Sequence, residues 1–343
     1  MRLAVAVSGG VDSMVALHLL KASGHTLFAI HFLTGYERAE TINHLEMLTS
    51  YLNHLDIELK TVTIRQAFQT HVVDYFVSTY AAGQTPNPCV ICNAKIKFGI
   101  IAEHAMKLGA DFLATGHYAQ TEQNMDGQYV LKKGLDSKKD QSYFLSMLSA
   151  QQLSKAIFPL GKWLKTDVVE YASNHGISTI VLPESQEVCF IQDRYQDFLI
   201  RSGYIKNTPG PIKTTSGTLI GEHNGLHEFT IGQRRGINCP GPYPYYVVRL
   251  EQATNTLIVG KKSDLLSDTC YLSDMNWIHP PKDPLIVDAR IRYKTPAIPA
   301  TLYPAVHSNQ AKLSFHSRQS AVTPGQIAVF YQGETVIGAG RIH

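Results

Sequence analysis

The stretch LAVAVSGGVDSMVALHLL, residues 3–20, decides the fold of the N-terminal part of this chain. Residues 3–7 are a short apolar run of the kind that a buried parallel strand needs. Glycines, serines and an aspartate interrupt the run at residues 8–13, and from Met14 onward apolar side chains recur at helical spacing. A strand, a glycine turn and a helix in this order direct backbone N–H groups at an anion. The stretch therefore predicts a phosphate-binding loop.

The side chains of the loop indicate which phosphate compound it binds. Ser8 and Ser13 can donate hydrogen bonds to a phosphate, whereas the Asp12 carboxylate repels it unless Mg²⁺ lies between them. No Gly-Lys-Ser or Gly-Lys-Thr follows, which excludes a Walker loop. The hexapeptide SGGVDS (residues 8–13) resembles the PP-loop of ATP pyrophosphatases, which cleave ATP to AMP and pyrophosphate. That resemblance implies ATP binding; a tight turn that binds nothing is the alternative.

Length and composition narrow the class of protein. At 343 residues the chain is too long for one ordinary core, so two or three domains are expected. No apolar run approaches the roughly 18–20 residues of a membrane span, and Met1-Arg2 leads directly into the first strand without room for a signal peptide. Together with an odd number of cysteines, five, this predicts a cytosolic protein without a disulfide framework. A histidine metal site is not expected, and the net charge of +3 permits a nucleic-acid partner without indicating one.

Strands and helices alternate through the first part of the chain. Strands are predicted at 26–33, 57–64 and 111–115, and helices at 40–55, 67–80, 96–108 and 163–176. This alternation is typical of an α/β fold with a doubly wound parallel sheet, whose ligand lies at the carboxyl ends of the strands. The loops after residues 7, 33 and 115 should therefore converge on one site.

The pattern changes beyond about residue 205. Short alternating runs separated by glycine, proline and asparagine predict strands at 227–231, 245–250, 256–259, 285–291, 311–315 and 327–331. Such a pattern indicates two small β-rich units that divide near residues 263–270. The predicted domains are a nucleotide-binding catalytic domain at 1–204, a small central β-rich domain at 205–265 and a C-terminal β-barrel at 266–343.

The cysteines form a second informative group. TPNPCVICN (residues 85–93) contains a CxxC after two prolines, and in a cytosolic protein this spacing favours metal or sulfur chemistry. Cys189 adds a third cysteine in a polar stretch, SQEVCFI (185–191). Cys239 and Cys270 are interpreted as small core hydrophobes.

Ordered matches along the whole chain resemble the tRNA-specific 2-thiouridylases, a family that makes 2-thiouridine at the wobble position of certain tRNAs. The matching segments are SGGVDS (8–13), TPNPCVICN (85–93), GHYA (116–119), KDQSYFL (139–145), SQEVCFI (185–191), GQRRGI (232–237), RY (292–293) and PGQIAVFY (324–331). The resemblance implies a PP-loop domain, a small central tRNA-binding domain and a C-terminal β-barrel.

The resemblance also implies a mechanism. ATP adenylates O2 of the target uridine and makes it a leaving group as AMP, while Mg²⁺, held in part by Asp12, balances the charge of pyrophosphate. Cys189 is implied as the persulfide carrier and Cys92 as the thiol that releases sulfur by forming a disulfide with it. Both should be partly exposed with a lowered pKa, since the thiolate is the nucleophile. The implied ATP-binding residues are Ala6, Val7, Ser8, Gly9, Gly10, Val11, Asp12, Ser13, Leu33 and Gly116.

A second set of residues is implied to contact tRNA, whose target base must leave its stack to be reached. These are Asn87, Pro88, Cys89, His117, Lys139, Asp140, Gln141, Arg292, Tyr293 and Gln326. Arg234 and Arg235 are candidate phosphate contacts by charge, with a solvated turn as the alternative. The family further implies a persulfide-donating relay protein as a partner, and a monomer is expected.

Two departures from the family leave alternatives open. Residues 31–40 match poorly, which weakens the interpretation of Leu33. Many members carry aspartate at the position of Cys89, so Cys89, Cys92 and Cys189 could instead hold a [4Fe–4S] cluster that delivers the sulfur. A PP-loop amide ligase that delivers ammonia to an adenylated substrate, and a non-catalytic RNA-binding protein, are the competing classes.

Overall fold

The computed structural model describes residues 1–37, 40–177, 188–201, 203–278, 280–305 and 308–343, with the side chains of 40–43 left aside. The chain forms two compact units, neither of which is continuous in sequence. The first comprises residues 1–72, 89–190 and 333–337, and the second comprises 73–88, 191–332 and 338–343. The domain boundaries at 204 and 265 stay a prediction.

A parallel sheet is the centre of the first unit. Its five strands lie in the order β3-β2-β1-β4-β7 and pair in parallel. A hairpin, β5–β6, pairs through Lys132 with Thr335 of the returning C-terminal segment. The strands are β1 (Arg2–Ala6), β2 (Thr26–Leu33), β3 (Glu58–Thr63), β4 (Phe112–Ala114), β5 (Ala119–Gln123), β6 (Tyr129–Lys133) and β7 (Ala156–Ile157).

Ten α-helical segments occur in the described residues: α1 (Val11–Ala22), α2 (Glu40–His54), α3 (Arg65–Phe68), α4 (Asp74–Ala81), α5 (Pro88–Ile91), α6 (Ala102–Lys107), α7 (Ser142–Leu145), α8 (Ala150–Leu153), α9 (Lys165–Asn174) and α10 (Tyr195–Arg201). Two π-helical stretches, Gln69–Val73 and Cys92–Ile101, join α3 to α4 and α5 to α6. Among the described residues, no helix is both long and apolar enough to cross a membrane.

The core of the first unit lies between its sheet and the flanking helices. Leu3 and Val5 of β1 are fully buried, as are Met14 and Leu17 of α1. Strand β1 runs through the middle of the sheet, and the order of strands reverses between β1 and β4. The loop after β1 therefore lies at the switch point, where α/β sheets bind their ligands.

The second unit contains two β structures. A four-stranded sheet has the order β10-β11-β8-β9, and six further strands close into a barrel because β12 pairs with both β15 and β17. The strands are β8 (Gly210–Thr214), β9 (Leu219–His223), β10 (Tyr246–Glu251), β11 (Thr256–Gly260), β12 (Leu266–Trp277), β13 (Leu285–Arg290), β14 (Ile298–Pro304), β15 (Gln310–Ser320), β16 (Ile327–Gln332) and β17 (Thr335–Ile342). The predicted fold class, a PP-loop parallel sheet followed by β-rich and barrel parts, is confirmed.

Two predictions about individual elements were wrong. Residues 227–231 do not form a strand, because a 3₁₀ turn (Leu226–Glu228) buries His227 there instead. The helix predicted from residue 96 begins at Pro88, since proline at the first helical position has no N–H to lose. Cys89 and Cys92 therefore lie in the first turns of a helix rather than in a loop.

Candidate active site

The SGGVDS loop is closed by its own hydroxyls. Ser13 Oγ donates to the carbonyl of Gly10 at 2.8 Å and accepts from the N–H of Ser8 at 3.2 Å, while the N–H of Gly10 donates to Ser8 Oγ at 3.3 Å. Gly10 is the N-cap residue of α1 and provides no side-chain hydrogen bond. The first backbone hydrogen bond of the helix runs from the N–H of Met14 to the carbonyl of Gly10. The N–H groups of the first turn thus point out of the helix, as an anion site requires.

Lys165, which the sequence analysis missed, neutralises the aspartate of this loop. Asp12 Oδ1 accepts from Lys165 Nζ at 2.7 Å and from the hydroxyl of Tyr118 at 2.7 Å. Both charged side chains are largely buried, so water screens the pair only weakly. Lys165 is the first residue of α9. It lies 153 residues from Asp12 in the sequence, so no local sequence pattern indicates that the two side chains pair.

The loops after β1 and β4 converge as predicted. A Cβ on Gly116 would lie 2.6 Å from the carbonyl carbon of Asp12 and 2.7 Å from the N of Ser13, so only glycine permits this approach. Leu33 ends β2 and is partly exposed, and its carbonyl accepts from the N–H of Ile64 at 2.9 Å. Beyond it, Glu37 accepts hydrogen bonds from Thr34 and Gly35 and folds the segment back on itself.

His117 lies inside the first unit rather than at its surface. Its Nδ1 is 2.7 Å from the hydroxyl of Thr115, and its ring packs between those of Phe98 and Phe158. Burial, and then the charge of Lys97, hold the pKa of His117 well below its usual value. The imidazole is therefore neutral at pH 7.

The three candidate cysteines are free thiols at or near the surface: Cys89 and Cys189 are exposed and Cys92 is partly exposed. The exposure was expected, but the lowered pKa was not found. Crowding by surrounding protein removes water from each thiolate and raises the pKa of all three, for Cys92 to about 12. Cys189 is anchored by the buried ring of Phe190, which packs on Tyr36 and Phe68. Residues 185–187 of the SQEVCFI segment lie outside the described residues.

Lys97 opposes this rise at all three sulfurs. Its charge lowers the pKa of Cys89, Cys92 and Cys189, while Cys189 raises the pKa of the other two thiols. Cys92 and Lys97 lie five residues apart in a π-helical stretch, where backbone hydrogen bonds join residues at that spacing, so their side chains lie on one face. A thiol cluster beside one cation suits thiol–disulfide chemistry.

The described residues contain no group of three or more His, Cys, Asp and Glu side chains arranged to hold a metal. The three cysteines in this arrangement thus do not fit the ligand set of a [4Fe–4S] cluster, which needs converging thiolates. His223 and His227 have an HxxxH spacing that the sequence analysis overlooked, and both are buried. They supply two imidazoles without a third ligand.

The KDQ segment (139–141) supports the first unit from within. Asp140 is buried and accepts from the N–H of Gly134, from the N–H of Ser142 and from its hydroxyl, each at 3.0 Å. Gln141 Oε1 accepts from the N–H of Tyr118 at 3.0 Å, while Lys139 is partly exposed. Asp140 therefore shapes the turn, and Lys139 and Gln141 on either side of it are partly exposed.

The remaining candidates lie in the second unit, around the segment that leads to CxxC. Gln326 Nε2 donates to the carbonyls of Thr85 (3.0 Å) and Pro86 (3.1 Å), and the N–H of Asn87 donates to the Tyr75 hydroxyl at 3.4 Å. Arg292 donates to the carbonyl of Ile231 at 3.0 Å and to the hydroxyl of Thr323. The Arg290 guanidinium lies 5.1 Å from the ring centre of Tyr293.

Arg234 and Arg235 are exposed, and Arg234 borders a cavity of about 540 Å³ in the second unit. Its wall is a proline-rich turn, residues 240–245, that presents Tyr243 with the ammonium of Lys261 lying 4.8 Å from the ring centre. Cations beside an accessible aromatic ring are compatible with RNA contact.

Comparisons with known proteins cover the chain almost completely. Three family models match in order: the tRNA methyl transferase HUP domain over residues 1–193, the tRNA methyl transferase PRC-barrel domain over 196–261 and the aminomethyltransferase beta-barrel domain over 267–342. A tRNA-specific 2-thiouridylase MnmA of Desulfosudis oleivorans is 48% identical over 99% of this chain and 94% of its own length. The MnmA of Halothermothrix orenii is 40% identical over 99% of this chain and 98% of its own length. Among solved structures, the U34-tRNA thiolase NcsA of Methanococcus maripaludis with its [4Fe–4S] cluster aligns with a TM-score of 0.34 at 20% identity, over 55% of this chain and 61% of its own.

Proposed function

The chain belongs to the tRNA-specific 2-thiouridylase family, and we propose that it thiolates O2 of the wobble uridine (U34) of tRNA at the expense of ATP. The sulfurtransferase activity follows from relatives that match nearly the whole chain. ATP, Mg²⁺, the sulfur carrier and the role of each residue are the proposed parts. The single observation that carries them is the presence of an intact SGGVDS loop and a cluster of three free thiols within one compact unit.

The nucleotide site consists of the loop after β1 and its neighbours. The residues fit ATP because a glycine with a φ of +81° and an uncapped helix start leave N–H groups for phosphate. ATP supplies the activation of uridine O2, which leaves as part of AMP, and pyrophosphate is the other product. Ser8–Ser13 would hold the phosphates, and Ala6, Val7, Leu33 and Gly116 would line the nucleotide. Asp12 would help to hold Mg²⁺, which would balance the charge of pyrophosphate.

The sulfur-transfer site consists of Cys189 and Cys92. The terminal sulfur of a Cys189 persulfide attacks C2 of the activated uridine, and the bond from C2 to the adenylated oxygen breaks. Cys92 thiolate then attacks Cys189 Sγ, so that a Cys92–Cys189 disulfide forms and the thiouridine sulfur leaves with the electron pair. An external thiol reductant restores both cysteines, and a persulfide-donating relay protein reloads Cys189.

The residues proposed to contact tRNA belong partly to the first unit and partly to the second. Lys139, Gln141, Arg292, Tyr293 and Gln326 lie at positions that match tRNA-contacting residues of the family, with Asp140 shaping the turn between the first two. Asn87, Pro88, Cys89 and His117 are proposed to lie near the target base, with His117 acting through neighbouring residues because it is buried. The enzyme is proposed to act as a cytosolic monomer that binds the anticodon stem–loop.

Sulfur delivery by a cluster is the competing version of the reaction. Anaerobic purification followed by iron and sulfide analysis, before and after Cys89→Ala, distinguishes the two. We expect a colourless, iron-free protein that still thiolates tRNA. About four irons per chain that disappear in the variant would instead support a cluster on Cys89, Cys92 and Cys189.

Cys189→Ser tests the assignment against an amide ligase, which shares the loop but needs no cysteine pair. Mass spectrometry of nucleosides should show no 2-thiouridine after incubation with ATP, persulfide donor and tRNA. Cys239→Ser removes a thiol outside the cluster and should leave product formation unchanged. Retained thiolation by the Cys189 variant would contradict the proposed sulfur transfer.

A further inference from the structure

Gly9 of the nucleotide loop and His44 of α2 lie against each other. A Cβ built on Gly9 would lie 2.1 Å from Nε2 of His44 and 2.8 Å from its Cδ2. The imidazole therefore occupies the space that any other side chain at residue 9 would need. In this way α2 brings one side-chain nitrogen to the middle of SGGVDS, although the sequence of α2 resembles no nucleotide-binding motif.

This nitrogen is buried and has no acceptor or donor. His44 is only 7% exposed, and its Nε2 is among the buried polar side-chain atoms without a hydrogen-bond partner. Native proteins satisfy nearly all such atoms, so an exception beside a ligand site calls for a ligand group as its partner. The anion that the loop is shaped to bind is the nearest candidate.

The protonation state of His44 and of its neighbour His31 suits a hydrogen bond from His44 to a phosphate. His31 on β2 holds its own Nδ1 against the carbonyl of Val7 at 2.8 Å, and because a carbonyl only accepts, that nitrogen carries the proton. Burial, and then the neighbouring His31, lower the pKa of His44, so its imidazole is neutral near pH 7. A neutral imidazole protonated at Nε2 offers one N–H to the loop.

We propose that His44 is a further ATP-binding residue, whose Nε2–H donates a hydrogen bond to the phosphate chain held by residues 8–13. The inference rests on the proposed function, which assigns ATP to this loop. Because Gly9 covers the nitrogen, binding includes a small movement of the glycine backbone away from the ring. The phosphate then supplies the acceptor that His44 Nε2 lacks.

The test measures nucleotide binding without tRNA, so it does not depend on turnover. Isothermal titration calorimetry follows the binding of Mg²⁺–α,β-methylene-ATP and of inorganic pyrophosphate to the full chain. His44→Leu keeps the volume and removes the donor, and should weaken binding about ten-fold; His44→Gln keeps an N–H donor and should stay within about three-fold. His227→Leu is the matched control, because that histidine is also buried with a partnerless Nε2, but lies in the second unit.

Each outcome decides the inference. Equal binding by His44→Leu and wild type, or equal losses in the Leu and Gln variants, would overturn it. If His44→Leu does not fold, the ¹⁵N resonance of His44 Nε2 in the wild-type protein decides instead, since pyrophosphate should shift it and an unchanged resonance refutes the hydrogen bond. Failure of the wild type to bind the analogue would remove the ATP assignment itself, whereas wild-type binding with an unaffected variant would remove only the role of His44.

Discussion

At the scale of single residues, the structure adds to the role that the sequence motif predicts for Asp12. In sequence it is a carboxylate beside a phosphate loop, which indicates a metal ligand. In the structure its Oδ1 accepts from Lys165 and Tyr118, so a cation is already present where phosphate charge would arrive. The loop can therefore keep an aspartate in the absence of nucleotide without leaving a buried charge unpaired.

Lys165→Met removes that cation and leaves the Asp12 carboxylate with only the tyrosine hydroxyl. We expect the free energy of unfolding to fall by about 1–2 kcal/mol, because the pair is largely but not fully buried. Affinity for Mg²⁺–α,β-methylene-ATP should fall several-fold as well. Urea unfolding and calorimetry measure both quantities, and Lys162→Met, an exposed lysine three residues earlier, is the control. Unchanged stability and affinity in Lys165→Met would contradict this role.

Lys97 is the second residue whose importance appears only in three dimensions. Crowding by surrounding protein raises the pKa of Cys92 and Cys189, and Lys97 opposes the rise, so Lys97→Met should raise both pKa values further. The thiolate fraction at pH 7 then falls, and iodoacetamide alkylation of both cysteines should need a higher pH to reach the same rate. Thiolation should slow at pH 7 and recover as the pH rises.

The controls for Lys97 are an exposed neighbour and a conservative change. Lys95→Met, two residues earlier in the same stretch, should leave the alkylation profile unchanged, and Lys97→Arg should restore it. A profile for Lys97→Met that coincides with wild type would show that the lysine does not act on the thiols.

At the scale of elements, the segment before CxxC is held by the turn between β15 and β16. The N–H of Thr85 donates to the carbonyl of Pro324 at 2.9 Å, and Gln326 donates to the carbonyls of Thr85 and Pro86. Gly325, with a φ of +89°, lies so close that a Cβ would come within 2.8 Å of the Thr85 oxygen. Gln326, which we proposed as a tRNA contact, thus also positions residues 85–86.

Gln326→Ala should loosen that segment without unfolding the barrel. Loss of two hydrogen bonds to partly buried carbonyls should cost about 1–3 kcal/mol locally. Hydrogen exchange of the Thr85 amide should accelerate accordingly, roughly ten-fold or more. Gln319→Ala, whose side chain bonds only to nearby Ser317, is the control. Unchanged exchange at Thr85 would mean that Pro324 and Gly325 hold the segment alone.

The elements also show which parts of the fold the sequence predicts. Strand β2 begins and ends where the apolar run of 26–33 does, because glycine-containing polar segments interrupt the run on both sides. The helix predicted from residue 96 lacks the first turns that carry Cys89 and Cys92, because a proline usually interrupts regular structure but here begins a helix. Motif residues were thus easier to find than the element that holds them.

At the scale of the whole molecule, the order of elements in sequence conceals how the chain is assembled. Alternation and β patterning predicted the classes of the parts, because those patterns are local. Contacts between residues far apart in sequence leave no local pattern. Three such contacts are the pairing of Lys132 with Thr335, the bond between Asp12 and Lys165, and the burial of His44 against Gly9. Lys165 and His44, which act through such contacts, were therefore missed.

Removal of residues 266–343 should separate nucleotide binding from sulfur transfer. The SGGVDS loop, Lys165 and His44 would remain, so a fragment of residues 1–265 should still bind Mg²⁺–α,β-methylene-ATP within a few-fold of the full chain. The fragment lacks Pro324 and Gln326, which hold residues 85–86, and Glu334, whose carbonyl accepts from the N–H of Lys133 at 2.9 Å. We expect a lower melting temperature, rapid exchange at Thr85 and no 2-thiouridine, as measured by calorimetry, hydrogen exchange and nucleoside mass spectrometry. A full chain carrying Gln319→Ala is the folded reference, and a fragment that thiolates tRNA at the full rate would mean that the thiols need no support from the barrel.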